Sequence, residues 1–356
     1  MLRFALNGRF TARKLTGQER FARELILELD KLPEAEEFVL VIPEYASDIP
    51  ELKRISVVKY GKVKSHLWEQ ISFYRYIKKN KLLSINLTTT CPFFSPDVVC
   101  IHDAAYYEIA DLLTTTLYGK LSTCWHRLLA WASAKWAKKI LTVSNYSKER
   151  LSDILKVSKE RIDVVYDAWQ HFNRVGYDDE IFRRLPPSVK KKEYILALSS
   201  LLPQKNFIWI KEVAERNKNI QFVVCGKVVK LSSCNEHSLK CDNVHFTGYI
   251  SDEQVKSLMS NCLAFVHPAI YEGFGIPPLE AMSCGAKVIV SNATCLPELY
   301  EDAAYYVNPY DYDVDLQALL NQTVAPNKKI LSKFDWGVEA RKIVEIVKNL
   351  DGSKCD

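Results

Sequence analysis

The segment Tyr271–Met282, YEGFGIPPLEAM, gathers two glycines, two prolines and two glutamates in a chain with only 12 Gly among 356 residues. Pro277 and Pro278 cannot sit deep in a helix but suit its first turn, where amide hydrogens lack intrahelical partners. The pattern therefore predicts a helix starting near Pro277, preceded by Gly273 and Gly275, which let the backbone approach a ligand closely. Free amides and the positive end of the helix dipole make an anion site. Glu272, in the loop, and Glu280, in the first turn, would repel phosphate but suit hydroxyl groups, as acidic residues do with ribose. Stabilising a helix end, worth under about 1 kcal/mol, would account for Glu280 but not for a loop glutamate beside two glycines. The chemistry implied is the binding of a nucleotide diphosphate and its sugar.

Such a site needs a scaffold, and the rest of the chain supplies its pattern. Short apolar runs alternate with amphipathic segments from end to end, as in parallel sheets with crossover helices. In the first half LRFAL, FVLVI, SVVKY, DVVCIHD, KILTVS and RIDVVYD read as strands, with helices over 18–31, 65–79, 120–138 and 146–156. Within the third of these, the spacing predicts burial of Leu128, Ala132 and Trp136. Residues 176–192, with a Pro-Pro pair and a lysine run, read as a linker. Alternation resumes with EYILALS, IQFVVCG, NVHFTG, CLAFVHP, AKVIVS and AAYYVNP. The expected division is an N-terminal domain over 1–175, a linker over 176–192 and a second domain over 193–335. A final helix over 336–356 crosses back to the first domain. The fold class is α/β, with ligands at the carboxyl edges of doubly wound sheets.

HPAIYEGFGIPPLEAMSCGAKVIVSNATCLPEL resembles the hallmark segment of family 4 retaining glycosyltransferases of the GT-B fold, whose two Rossmann-like domains face each other across a cleft. The resemblance spans nearly the whole chain. It implies that Glu280 binds the nucleotide ribose and that Glu272 touches the donor sugar. The backbone of Gly273, Phe274, Gly275 and Ile276 would line sugar and diphosphate. In LALSSLLPQKNF it implies that Lys205 neutralises the diphosphate, with Ser200 on the donor side; two phosphate charges call for such a cation. Ser199 and Ser200 replace the family's usual glycine and following residue, and Gln204 stands where a second basic residue is frequent. FVVCGKV and VHFTGYIS resemble the segments that hold the base, through Gly226 and Ile250. LTGQERFAREL resembles the family's glycine-rich loop; Thr16 and Glu19 replace glycines, so Gly17 alone is carried over, with Gln18 and Arg20 on the acceptor side. In VVCIHDAAYY, His102 follows a strand and would contact the donor sugar or orient the acceptor, with Asp103 beside it. Trp169 and His171 receive no role. Ser144 suits a helix cap.

Composition narrows the remaining classes. A balance of 48 basic against 43 acidic residues, net +5, is too mild for nucleic-acid binding. A cluster of Lys and Arg with aromatic residues over 53–81 reads as a solvated face, or as contact with an anionic membrane surface. Ten scattered cysteines without a C-x-x-C pair suit reduced thiols in the cytoplasm. Cys234, His237, Cys241 and His245 lie close in sequence, but their spacings fit no common structural zinc site. No G-x-G-x-x-G or phosphate-loop motif is present. Asp311, Asp313 and Asp315 read as helix-start residues rather than as a metal-binding Asp-x-Asp.

The expected activity is transfer of a hexose or deoxyhexose, mannose or rhamnose among them, from a nucleotide sugar to a lipid-linked or oligosaccharide acceptor. No cofactor or metal is expected, and the context is bacterial surface-polysaccharide assembly at the inner face of the membrane. Nucleotide-sugar epimerisation, phosphorolysis and non-catalytic nucleotide-sugar binding are the alternatives.

Overall fold

The computed structural model describes residues 3–114, 116–198, 203–226 and 241–352. It divides into two compact units, Met1–Asp167 with Asp335–Asp356, and Ala168–Phe334.

In the first unit the strands are β1 (Phe4–Asn7), β2 (Phe38–Ile42), β3 (Ser56–Lys59), β4 (Leu83–Asn86), β5 (Val98–Cys100), β6 (Lys139–Thr142) and β7 (Ile162–Val164). They pair in parallel in the order β3-β2-β1-β4-β5-β6-β7. The runs FALN and FVLVI are buried along their whole length because helices cover both sheet faces. Strand β4 escaped the sequence reading because its Ser84 and Asn86 are polar. Both are nevertheless buried and satisfied, Ser84 Oγ donating to Ser95 O at 2.6 Å and Asn86 Nδ2 to Val98 O at 3.1 Å. Strand order reverses between β1 and β4, and Asn7 and Asn86 end those strands.

The helix expected over 65–79 is broken into His66–Trp68, a π-helical turn Glu69–Phe73, and Tyr74–Asn80. That widened turn brings Glu69, Ser72 and Phe73 to the interior. The lysines at 53, 59, 62, 64, 78, 79 and 81 are all exposed, as a solvated face requires. Helix Leu117–Trp136 corrects the expected burial. Ala132 is inward, but Leu128 and Trp136 are 43% and 39% exposed. Its buried side consists of Thr123, Leu129, Ala130, Ala132 and Ser133, mostly small residues that let the helix lie close to the sheet. The bulky residues are displaced outward. Trp336–Gly352 packs on Gly17–Leu29 within this unit, with Phe21 and Trp336 edge to face at 6.1 Å.

The second unit carries β8 (Tyr194–Leu198), β9 (Gln221–Cys225), β10 (Val244–Gly248), β11 (Ala264–His267), β12 (Lys287–Ser291) and β13 (Tyr305–Val307), one for each run read from the sequence. They too are parallel, in the order β10-β9-β8-β11-β12-β13, with the reversal between β8 and β11. The presumed linker over 176–192 is a correction: this segment packs into the second unit. Ile181 is fully buried, Asp178 N donates to Ser257 Oγ at 2.9 Å, and Lys192 N donates to Asn261 O at 2.6 Å. Just before it, buried Lys256 donates to the carbonyls of Phe172 (2.8 Å) and Val175 (2.7 Å). Its charge and its prolines mark a surface path, not a hinge. The chain changes units instead after Asp167 and after Phe334.

Candidate active site

In the second unit the chemistry-bearing residues converge on the carboxyl ends of β8 and β11, where strand order reverses. A ligand crevice is expected at such a point. Helix Phe207–Arg216 follows β8, and its N-cap Asn206 sits in the left-handed region at φ 57°. Asn206 Nδ2 donates to Pro268 O (3.0 Å) and Pro309 O (2.7 Å), tying the loops after β8, β11 and β13 together. Gln204 O accepts from Ile270 N at 2.8 Å. Lys205 is thereby held against the loop that carries Glu272, and their side chains form an ion pair.

His267, the last residue of β11, donates Nε2–H to the same Oε1 of Glu272 at 2.9 Å. Burial by itself would raise the Glu272 pKa. The Lys205 charge and the His267 hydrogen bond outweigh it and hold the carboxyl at about 2. Burial also lowers the His267 pKa, against the upward pull of Glu272, so near neutral pH the imidazole is an uncharged donor. The loop is fixed further by Glu272 N donating to Thr294 Oγ1 at 3.3 Å and by Cys295 Sγ near Glu272 O at 3.3 Å.

The expected helix is present as Ile276–Ser283, with Pro277 and Pro278 in its first turn. Gly275 caps it at φ 87°, a conformation that disfavours a side chain, and an added Cβ would lie 3.3 Å from Leu296 Cδ2. Tyr300 pins that turn by donating its hydroxyl to Gly275 O at 2.6 Å. Glu280 is buried and accepts from His171 Nε2 at 2.8 Å. Phe274 is buried edge to face with Phe334 at 5.3 Å, and Ile276 is buried at the helix start. Gly273 is buried as well.

Gly226 directly follows β9 at φ 136° and donates its amide to Gly248 O at 2.9 Å. Ile250 is buried, beside an exposed Tyr249. Ser200 lies outside the described residues, as do Cys234 and His237. The other two members of that cluster are engaged elsewhere: Cys241 Sγ donates to Asn243 Oδ1 at 2.9 Å, and His245 Nε2 meets Gln221 Oε1 at 2.7 Å. Among the described residues no cluster of three His, Cys, Asp or Glu could hold a metal. Asp315 caps helix Leu316–Leu320 by accepting from Ala318 N at 2.9 Å, which accounts for it without a metal.

In the first unit, Gly17 is exposed at the start of helix Gly17–Leu29, Gln18 and Arg20 are half-buried on its first turn, and Asp103 accepts from Ala105 N at 2.8 Å. His102 follows β5, packs against Phe21 at 4.8 Å and donates Nε2–H to Leu87 O at 3.0 Å. Burial pushes its pKa down to about 4, so it is neutral. Ser144 caps helix Asn145–Leu155, accepting from Ser147 N at 3.1 Å.

His267 and His171, the partners of the two glutamates, went unassigned in the sequence. His267 had a local signal, a histidine closing an apolar strand five residues before Glu272. His171 had none, since 109 residues separate it from Glu280.

Two parallel, doubly wound units of this kind have the GT-B fold of glycosyltransferases. Residues 178–328 match the family described as glycosyl transferases group 1. The chain is similar to the O-antigen chain mannosyltransferase RfbU of Salmonella typhimurium, 29% identical over 83% of this chain and 79% of that protein. It also resembles the O-antigen chain mannosyltransferase B of Escherichia coli, 25% identical over 84% of each. Among solved structures, Anabaena Alr3699/HepE in complex with UDP-glucose superimposes with a TM-score of 0.69 at 15% identity, covering 98% of this chain and 100% of that one.

Proposed function

We propose that the enzyme transfers a mannosyl group from a nucleoside-diphosphate mannose to a saccharide acceptor of a surface polysaccharide, with retention of configuration and without a metal. The observation that carries this reading is the Lys205–Glu272–His267 cluster at the reversal of the second sheet, next to the helix N-terminus at Gly275. The similarity to O-antigen mannosyltransferases supports the sugar and the acceptor class.

When a donor binds, Lys205 turns from Glu272 to the diphosphate, and the amides at the start of helix Ile276–Ser283 share its charge. Glu272 then accepts from a hydroxyl of the sugar, and Glu280, oriented by His171, accepts from the ribose. His102, whose Nε2–H is spent on Leu87, offers Nδ1 as an acceptor to a substrate hydroxyl. In the transfer the bond from the anomeric carbon to the phosphate oxygen breaks and the acceptor oxygen bonds that carbon on the same face. The acceptor proton passes to a phosphate oxygen, and the nucleoside diphosphate leaves with its charge held by Lys205. No part of this requires a metal, because lysine and helix end carry the electrostatic task.

The test is release of nucleoside diphosphate from GDP-, UDP- and dTDP-mannose in the presence of acceptor glycan. Lys205→Ala is expected to lower turnover by about 10²-fold or more, and Glu280→Ala to raise the donor KM by about tenfold with a smaller effect on kcat. Parental rates in both variants would refute the site. Interconversion of free nucleotide sugars, or a shift in melting temperature without turnover, would replace transfer by epimerisation or simple binding.

The acceptor is lipid-linked in this reading, and the enzyme works at the cytoplasmic face of the membrane. No helix among the described residues is long and apolar enough to cross a bilayer. The first unit does expose Phe94 (72%), Leu121 (64%) and Trp131 (48%), and Lys135 Nζ lies 5.2 Å from the rings of both Trp131 and Trp136. Aromatic rings with a cation at their edge suit the headgroup region. Sedimentation with anionic vesicles should fall several-fold in the double variant Trp131→Ser, Trp136→Ser; unchanged sedimentation would remove the membrane contact.

A further inference from the structure

Both side-chain partners of Glu272 meet the same oxygen. Lys205 Nζ pairs with Oε1, and His267 Nε2 donates to Oε1 at 2.9 Å. Among the described residues no hydrogen bond reaches Oε2. One oxygen is therefore held while the other remains for a ligand.

The two partners stand on different ground. Lys205 is half-buried and reaches Glu272 from the loop after β8 on a flexible stem. His267 is buried and closes β11, an inner strand of the second sheet, in register with Val290 of β12. A Cβ added to Gly275 would lie 3.7 Å from His267 Nε2 and 3.9 Å from Glu272 Cγ, so the turn before the helix packs on the pair. A ring fixed on a strand places a carboxylate more precisely than a side chain on a loop can.

Charge separates them further. Burial lowers the His267 pKa, Glu272 raises it and Lys205 lowers it again, so near pH 7 the ring is a neutral donor. A diphosphate attracts an ammonium strongly and an uncharged imidazole hardly at all. Donor binding thus strips Glu272 of its cation but leaves it the hydrogen bond from β11. Without that bond a carboxylate beside a diphosphate would turn away or take up a proton.

We propose that His267 is a positioning residue: it holds Glu272 by Oε1 while Lys205 leaves for the diphosphate, so that Oε2 stays aimed at the donor sugar. The inference rests on the transferase reading, which gives roles to Lys205 and Glu272 but none to His267.

The test compares His267→Gln, whose amide nitrogen donates from nearly the Nε2 position, with His267→Leu, which fills similar space without a donor. Leucine should lower kcat by about 10²-fold and change the donor KM by no more than about threefold, because the diphosphate and ribose contacts remain. Glutamine should recover most of that loss. The pH profile separates positioning from mere support. The groups facing Glu272 are Lys205, His267 and the Cys295 thiol, which burial pushes well above its ordinary range and keeps neutral. With Lys205 on the diphosphate, the acid limb of kcat reports Glu272 held by His267 alone. That limb should move up by about one pH unit or more in His267→Leu, since burial then acts unopposed, and return in His267→Gln. Damage to the fold would lower kcat alike at every pH.

A second measurement uses the parent protein and holds whether or not the leucine variant folds. The His267 Nε2–H signal, assigned by its loss in His267→Gln, is followed by NMR as GDP-, UDP- or dTDP-mannose is added. It should stay hydrogen-bonded and slow to exchange at saturation. Its disappearance on saturation would overturn the proposal. So would leucine matching the parent in rate and acid limb, or glutamine doing no better than leucine. Failure of all three nucleotide sugars to bind would instead overturn the transferase reading, and this inference with it.

Discussion

Each unit places a basic residue against a glutamate at the reversal of its sheet, and the two pairs are built for opposite ends. In the first unit Glu69 is fully buried. Asn7 Nδ2 and the Thr90 hydroxyl donate to its Oε1 at 2.9 and 2.7 Å, and Arg9 Nε stands 3.0 Å from its Oε2. Asn7 is itself tied to Asn86 at 2.9 Å, so the network joins the ends of β1 and β4. In the second unit Lys205 and Glu272 keep 24% and 12% side-chain exposure, and only His267 adds a side-chain hydrogen bond among the described residues. Burial would raise both carboxyls, and in both the neighbouring cation lowers them instead. The difference lies in saturation. A guanidinium locked by carboxylate and hydroxyl fixes the sheet edge, whereas an ammonium on a flexible stem at a solvent margin is able to exchange its carboxylate for a diphosphate.

The comparison breaks most visibly under deletion of one partner. Glu69→Ala strands Arg9 in the interior and should cost about 3–5 kcal/mol, enough to unfold a marginal unit. Lys205→Ala leaves Glu272 with His267 and some solvent, and should cost no more than about 1–2 kcal/mol while removing most turnover. Thermal unfolding of the two variants, read beside their rates, separates the cases. If both lost stability alike, the two pairs would have the same structural role and the contrast would fall.

That contrast was half legible in the sequence. YEGFGIPPLEAM announced its helix start, since proline and glycine leave the backbone few choices, and the strands of the second unit read as unbroken apolar runs. The first-unit network was not legible. Asn7, Arg9, Glu69, Asn86 and Thr90 are polar residues scattered over some eighty positions, and local pattern assigns each to the surface. Only parallel pairing of β1 with β4, together with the π turn that swings Glu69 inward, brings them to one point. Residues 176–192 misled in the opposite sense. Charge density and a Pro-Pro pair suggested an extended connection, yet one buried Ile181, two backbone hydrogen bonds to helix Asp252–Asn261 and one to its Ser257 hydroxyl are enough to fix the segment. Helix Leu117–Trp136 shows a third limit. Periodicity located the helix but misjudged its inward face, because small residues pack closer than tryptophan.

Acid titration sharpens the comparison at a smaller scale. His102, in the first unit, is lowered by burial from 6.5 to about 4, so between those values the unfolded chain binds a proton that the folded chain refuses. Stability supplied by this group is full above about 6.5 and is lost as pH falls towards 4. Glu272, in the second unit, is lowered from 4.5 to about 2, and its contribution is full above about 4.5 and lost as pH falls towards 2. Each proton contributes a slope of at most about 1.4 kcal/mol per pH unit. His102→Gln keeps a donor for Leu87 O and should flatten the melting-temperature profile between pH 6.5 and 4 without altering it below. Glu272→Gln should do the reverse, flattening the profile below pH 4.5. If His102→Gln left the upper window as steep as in the parent, the acid response there would belong to other buried histidines, His126 and His267 foremost, and the assignment of that window to the β5 edge would be wrong.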